Sequence, residues 1–463
     1  MAKPLPEVVI VGGGLAGCEA AWQLAERGVS VRLYEMRPEK KTPAHQTANL
    51  GELVCSNSFR GADLHNAVGL LKEEMRVLDS LIMTCADAHR IPGGGALVID
   101  REGFSRAVTG SMEDHSNIQI LRKEITHLEE IEGCGAIPIV IATGPLTSEA
   151  LSKEIARLTG SEYLYFYDSI APIVEADSID FDKVFRASRY GKGSEDYLNC
   201  PLNCDQYLKF VQDLVASEKV PTKDFEQAKF FEGCLPIEVM AERGKMALAF
   251  GPMKPVGLTH PKTGERPFAV VQLRQDDLHA SLYNMVGFQT RMKYPEQERV
   301  FRTLPGLEQA RFARLGSMHR NTFLNSPRLL DQDLQLKNHR GIYFAGQITG
   351  VEGYVESAVV GLYVGLSLGE QVAGRRLPPP SPRTALGALL RHITQASPQG
   401  FQPMNVNFGL MEVPEEIKKK ERRKEMIRIA LQEMKCYREG MSSGNRLCER
   451  LAEDAPKGAH YGS

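Results

Sequence analysis

Four β-branched residues, Val8 to Val11, run straight into the glycine cluster "GGGLAG" at Gly12–Gly17. A short apolar run of that kind reads as a buried strand. A chain leaving it through G-x-G-x-x-G has one well-supported continuation, a tight turn into a helix. Gly12 permits the turn, Gly14 lets the backbone approach a pyrophosphate, and Gly17 lets the helix pack closely on the strand. The backbone of Gly12, Gly13, Gly14, Leu15, Ala16 and Gly17 is therefore the expected phosphate cradle. It faces its ligand with unpaired N–H groups and the positive end of a helix predicted to reach about Gly28. The next strand, "VSVRLYE", ends at Glu35. A carboxylate there suits a ribose hydroxyl pair and argues against a 2′-phosphate.

Two later stretches decide which dinucleotide is expected. "IPIVIATGPL" is a strand ending in Ala142-Thr143-Gly144, and "RGIYFAGQITGVEGYVESAVVGLYVG" is a strand ending at Ala345-Gly346, followed by a glycine-rich turn and a long helix. A simple NAD domain does not need this late return. A two-domain flavoprotein does, because the late strand rejoins the first sheet and its turn touches the flavin; this step is an analogy at the level of fold. Thr143, Gly144, Gly346 and Gln347 thus join the expected FAD-binding residues. Many flavoproteins carry an Asp after the late glycine, and Gln347 in its place narrows the family. The expected class is α/β: a Rossmann-type, glutathione-reductase-like FAD-binding domain with an inserted α+β substrate domain and a helical C-terminal tail.

At 463 residues the chain is too long for one ordinary core. We divide it into a first part of the FAD-binding domain at 1–145, an inserted substrate domain at 146–315, a second part of the FAD-binding domain at 316–375, and a linker with a basic helical tail at 376–463. One helix is predicted over 66–83 from Val68, Leu71, Met75, Leu78 and Ile82. "RRLPPPSPRT" is expected as a stiff linker. In the tail, Pro414 suits a first helical turn, and Lys418, Lys419, Lys420, Arg422, Arg423 and Lys424 form a basic cluster. That cluster is either a solvated face or a surface that follows phosphates. The final dozen or so residues show no apolar period.

A content of 42% hydrophobic and 25% charged residues is that of a globular protein. There is no apolar run of the roughly 18 residues a membrane helix needs, and the N-terminus reads as a strand, not a leader. Nine scattered cysteines do not make a disulfide framework, so a reducing, cytoplasmic setting is expected. Cys200 and Cys204 lack a second ligand pair, and no metal is expected. A net charge of −2 gives no global pull on nucleic acid, so any such partner must be held by a local basic surface.

Two cysteines stand in polar, glycine-flanked turns: Cys55 in "GELVCSNSFRG" and Cys234 in "FFEGCLPIEVMAERG". Three readings are open. Both could be small core residues, although their neighbours disfavour it. They could form a redox disulfide, although such pairs usually lie close in one segment. One could be a nucleophile with the other assisting proton transfer, which calls for nearby cations to favour a thiolate. Arg60 and Arg243 are near in sequence.

"GGGLAGCEAAWQLA", "GELVCSNSFR", "SRYGKGSEDYLNCP", "GCLPIEVMAERG", "FAVVQLRQDD", "MHRNTFLNSP", "FAGQITGVEGYVESA" and "MNVNFGLM" together resemble the folate- and FAD-dependent tRNA (uracil-5-)-methyltransferase family, related in fold to the larger flavoprotein that modifies wobble uridine. The resemblance extends from Val8 to about Met411. Only the glycine cradle is generic, and the basic tail matches least. The resemblance implies formation of 5-methyluridine in the tRNA T-loop, with methylenetetrahydrofolate as carbon donor and reduced FAD, recharged by NADH or NADPH, as reductant. It assigns Cys234 as the nucleophile at uracil C6 and Cys55 as the second thiol, the C5 base. The target uridine is packed inside folded tRNA and must be exposed, which calls for a basic surface. Arg186, Arg189 and Lys192 in "FRASRYGKG", with Lys418 and Arg422 of the tail, are the candidates, each of which also reads as a solvated charge. Arg274, His319 and Arg320 are expected to border flavin or folate. Two other functions compete: a flavin oxidoreductase of small molecules or disulfides, and a non-catalytic, FAD-stabilised RNA-binding protein.

Overall fold

Val8, Val9 and Ile10 are fully buried because their strand, Glu7–Val11, lies in the middle of a five-stranded parallel sheet. The computed structural model describes residues 6–42, 44–160, 164–191, 195–221, 235–413 and 421–443. Across the sheet the order is Ile342–Phe344, Ile139–Ile141, Glu7–Val11, Ser30–Glu35 and Ile118–Arg122. The late strand therefore rejoins the first sheet: Ile342 pairs with Ile139, and Val9 lies between Ile139 and Arg32.

Two helices, Leu15–Ala25 and Tyr354–Val372, pack on each other, and the first also packs on Glu7–Val11 and Ser30–Glu35. The second is apolar on nearly every face and almost wholly buried, as a helix enclosed on all sides must be. Its Gly361 and Gly365, four residues apart, lie on the face toward the first helix. A Cβ on Gly361 would come within 2.1 Å of the Ala16 carbonyl oxygen, and one on Gly365 within 2.7 Å of the Ala20 carbonyl oxygen. The absence of two side chains is what lets the helices approach so closely.

A second, antiparallel sheet has the order Phe185–Arg186, Tyr197–Leu202, Ala269–Gln275, Leu282–Met285, Ile173–Glu175 and Phe312–Arg314, with its own buried core. A two-stranded ladder, Leu164–Ser169 against Met318–Phe323, carries the chain between the two bodies. A small sheet of Ser58–Gly61, Ala96–Ile99 and Arg90–Ile91 lies beside the loop that holds Cys55.

The single helix expected over 66–83 is two, Ala67–Val77 and Leu81–Ala88. Asp79 turns into a left-handed backbone (φ 56°), and Ser80 caps the second helix, its Oγ accepting from the Met83 N–H at 3.1 Å. Buried Glu19 completes the break by accepting from Ser80 Oγ at 2.7 Å and from the Ile82 N–H at 2.9 Å. In the proline-rich stretch Leu377 and Pro380 are buried. The helix Ala385–Gln395 that follows is capped by buried Glu74, which accepts from the Ala385 and Leu386 N–H groups at 2.7 and 2.8 Å. The last described helix, Arg422–Ser443, buries Met426, Ile427, Ala430, Met434 and Tyr437 in the core of the first domain. Pro414 and Lys418–Lys420 lie outside the described residues. No described helix is long and apolar enough to cross a membrane.

Gly361→Ala is expected to lower stability by about 1–3 kcal/mol, the usual cost of overpacking, read as a lower urea midpoint. Gly110→Ala, in the helix Arg101–Asp114 where a Cβ meets nothing within 4 Å, is expected to stabilise by about 0.4–1 kcal/mol.

Candidate active site

The three motif glycines divide their work. A Cβ on Gly12, whose φ is +110°, would lie 2.6 Å from the Ala142 carbonyl oxygen, and one on Gly17 would lie 1.8 Å from that of Gly12. Both positions exclude a side chain for reasons internal to the protein. Gly14 differs: a Cβ there meets no protein atom within 4 Å. Its open side faces a cleft between the glycine turn and the late return strand. Gly14 is also the N-cap of the first helix and brings no side-chain cap, so first-turn N–H groups are left to a ligand. An anionic pyrophosphate fits that cradle.

The cleft is walled by Val11–Ala16, Tyr34–Arg37, Ala142–Ser148, Gly346, Gln347 and Tyr354, among others. Thr143 Oγ1 lies 2.6 Å from Thr147 Oγ1, and Gln347 Nε2 donates to Glu352 at 2.7 Å. Gly346 has φ +82° and abuts Ala16, whose Cβ a side chain there would meet at 2.7 Å. Glu35 accepts from the Gly13 N–H at 2.8 Å with one oxygen and from Arg37 Nε at 2.8 Å with the other. Burial opposes its charge, yet the Arg37 contact and the two backbone donors hold the carboxyl below its ordinary value. The Arg37 N–H also donates to the second oxygen at 3.0 Å, which fills it, while the oxygen facing Gly13 keeps one acceptor site, so a ribose hydroxyl fits there.

Arg37 also donates to Glu52 at 3.0 Å, and Glu52 in turn accepts from the Gln46 and Thr47 N–H groups. The Gly51 N–H donates to the Gly13 carbonyl at 2.9 Å. The loop leading to Cys55 is thereby laid directly on the phosphate cradle.

Around Cys55 the backbone is held residue by residue. Arg101 donates to the Leu53 carbonyl, and Arg314 to that of Val54 at 2.8 Å. The Tyr354 hydroxyl accepts from the Cys55 and Ser56 N–H groups at 2.7 and 3.1 Å. Arg274 donates to Ser56 Oγ at 2.8 Å and to Asn57 Oδ1 at 3.1 Å. Asp276 faces Arg101 in two contacts of 2.9 and 3.2 Å; burial works against the Arg101 charge, but Asp276 holds its pKa above the ordinary value. Burial also pushes the Tyr354 phenol up, and the charge of Cys55 adds to it. Arg101, Arg274 and Arg314 all interact electrostatically with Cys55. The half-buried Cys55 has its sulfur 4.0 Å from the Ser169 carbonyl, and its neighbours Val54 and Tyr354 both line the cleft.

Cys234, Lys192 and Lys418 lie outside the described residues; Cys55 adjoins the cleft wall through Val54 and Tyr354. Arg186 is exposed and donates to the Tyr283 hydroxyl at 3.1 Å. Arg189 is half-buried and spends its guanidinium on the Lys254 and Pro252 carbonyls at 2.8 and 3.4 Å. Arg422 stands exposed at the start of the last described helix. Arg60 is paired with Glu356. Arg37, Glu52, Arg101, Arg314, Asp276 and Tyr354 went unnoticed in the sequence; Tyr354, in "GYVES" after the late glycine turn, is the one whose place in a motif could have marked it.

Comparison with known proteins gives concordant results. The family described as "Glucose inhibited division protein A" matches residues 7–376. A protein of Syntrophotalea carbinolica named methylenetetrahydrofolate--tRNA-(uracil-5-)-methyltransferase TrmFO is 57% identical over 443 residues, covering 95% of each chain. Its namesakes in Desulforamulus reducens and Geobacter sulfurreducens are 59% and 58% identical, over 87% and 92% of this chain and 90% and 98% of theirs. Among solved structures, Aquifex aeolicus GidA superposes with a TM-score of 0.68 at 16% identity, over 98% of this chain and 76% of that one.

Gly14→Ala is expected to fold as stably as the parent and bind dinucleotide more weakly. Gly17→Ala is expected to lose about 1–3 kcal/mol of stability outright. Thermal melts of the stripped protein, set beside titrations with the cofactor, separate the two effects.

Proposed function

Because the chain belongs to the methylenetetrahydrofolate--tRNA-(uracil-5-)-methyltransferase family, we propose that it forms 5-methyluridine in the T-loop of tRNA by thiolate chemistry beside a bound FAD. It is a folate-dependent enzyme that methylates uracil in tRNA; the site of methylation, the source of electrons and the roles of the two thiols are the reading offered here. FAD fits the glycine cradle, with Glu35 toward the ribose and Gly346–Gln347 toward the isoalloxazine end. Once reduced by NADH or NADPH, it supplies the electrons that take the one-carbon unit to a methyl group.

Uracil C5 is a weak nucleophile in the intact ring. Addition of the Cys234 thiolate to C6 forms a sulfur–carbon bond and shifts the ring electrons toward C5 and O4. C5 then attacks the one-carbon unit of methylenetetrahydrofolate, whose bonds to nitrogen break to release tetrahydrofolate. The C5 proton must leave to a base, for which Cys55 is proposed, and expulsion of the C6 thiolate restores the double bond. The assignment of Cys234 rests on the resemblance alone. One observation supports Cys55: it adjoins Val54 and Tyr354 of the cleft wall, with three guanidinium groups in electrostatic range. Cations so placed favour a thiolate and stabilise negative charge developing on a nearby ring oxygen. The insert at 146–315, with Arg186, Arg189 and Lys192, is proposed to face the RNA, and Lys418 and Arg422 of the tail to add to that basic surface. A tRNA substrate supports the reading of a cytoplasmic enzyme.

The test combines purified protein, T-loop RNA, methylenetetrahydrofolate and NADPH. Wild type is expected to methylate the target uridine, and Cys55→Ala and Cys234→Ala are expected to lose that activity. With 5-fluorouracil RNA, whose C5 substituent cannot leave as a proton does, Cys55→Ala should still form a covalent adduct and Cys234→Ala should form none. Full methylation by either variant would overturn the assignment of that thiol. NADPH oxidation with no methyl gain on RNA by wild type would favour a small-molecule oxidoreductase instead.

A further inference from the structure

The inserted sheet ends in a surface that the chemistry above leaves unused. Its strand Phe185–Arg186 runs into a turn where Tyr190 adopts a left-handed backbone, φ 59° and ψ 22°. That region is disfavoured for any residue with a Cβ, and the ring gains little from burial, being 60% exposed. The surroundings hold it there. The Tyr190 N–H donates to the Gly257 carbonyl at 3.1 Å, and Arg189 grips the Lys254 and Pro252 carbonyls. Gly257 itself has φ +79°, and a Cβ on it would lie 2.9 Å from the tyrosine ring. At the other end of the same 250–257 segment, Phe250 is 81% exposed, more than any other large hydrophobic residue among those described.

Cations lie close to Phe250 along the chain. Lys245, Lys254, Lys262 and Arg266 come from the same stretch of chain, and none of them pairs with a carboxylate among the described residues. The surface also lies at the right end of the sheet. The Ala187 N–H donates to the Tyr197 carbonyl at 3.0 Å, and Tyr197 faces Arg274 across the ladder, at the end where Arg274 reaches Ser56 beside Cys55. There the Tyr197 hydroxyl donates to the Gly93 carbonyl at 3.0 Å, and the Gly94 N–H to Asp196 at 2.6 Å, which ties the insert to the first domain.

Exposed rings with unneutralised cations nearby in the chain suit unpaired nucleotides, whose bases stack on aromatic faces while lysines meet the phosphates. The geometry points to Tyr190 and Phe250 as a stacking platform for unpaired bases of the RNA substrate, with Lys254 and Lys262 on its backbone. This rests on the reading of the protein as a tRNA methyltransferase.

The experiment uses the holoenzyme and unmodified tRNA transcript. Phe250→Ala and Tyr190→Ala are each expected to raise KM for tRNA about 5- to 100-fold at unchanged kcat, with flavin content and NADPH oxidation as in wild type, and Phe250→Trp is expected to restore KM. Tyr190→Gly removes the ring and relieves the backbone. It should melt no lower than wild type yet bind tRNA as weakly as Tyr190→Ala. Wild-type KM in the alanine variants, with methylation intact, overturns the platform. So does a wild-type dimer that Phe250→Ala turns into monomers in sedimentation, because the ring would then be a contact between copies. Failure of wild type to bind or methylate any tRNA instead overturns the functional reading on which the platform rests.

Discussion

The closeness of two helices governs the rest of this molecule. Leu15–Ala25 and Tyr354–Val372 come from opposite ends of the chain and meet where Gly361 and Gly365 carry no side chains. Gly346 abuts Ala16 in the same seam, and Gly17 sits on the Gly12 carbonyl. Contact between backbones therefore sets the distance between the early glycine turn and the late one. Interiors packed at crystal-like density transmit such constraints with little give, so the shape of the cleft is inherited from these positions.

From that seam a chain of polar contacts runs outward to the thiol. Gly13 binds Glu35 through its N–H and receives the Gly51 N–H on its carbonyl. Arg37 joins Glu35 to Glu52, whose carboxylate orders residues 46 and 47. Beyond them, Arg101, Arg314, Tyr354 and Arg274 hold residues 53–57. Arg274 belongs to the inserted sheet, and Arg101 reaches the insert through Asp276. Cys55 thus stands where two bodies meet, oriented by both. Buried charges are costly unless partnered, and here the buried guanidinium groups are partnered by carboxylates, carbonyls and hydroxyls.

The cradle was legible because its signal is local: a β-branched run, three spaced glycines and an acidic strand end lie within the first 35 residues. The return strand at 342–344 was legible for the same reason. The break at Asp79-Ser80 was not, because the apolar spacing continues across it and the side chain that completes it, Glu19, lies far upstream. Arg37, Arg101 and Arg314 left no trace, since a single arginine has no period and its partners are distant in sequence. In the last helix, a run of lysines and arginines drew the eye from an apolar stripe at three and four spacing, Met426 to Tyr437, that the fold buries. Sequence patterns report faces and turns well; which charges converge on one sulfur is decided only by tertiary structure.

The placement of the strand Ile342–Phe344 at the sheet edge, and of the helix after it against the first one, bears on how the protein is made. During synthesis the ribosome releases the first four strands of the parallel sheet long before the fifth emerges. At about 5–20 residues per second, the nascent chain waits many seconds for the segment that closes its first domain. In that interval the antiparallel insert, whose six strands all fall between residues 173 and 314, is already fully exported. The younger part of the polypeptide is thus complete while the older part still lacks a wall, and stable capture of the flavin becomes one of the last events in its biogenesis.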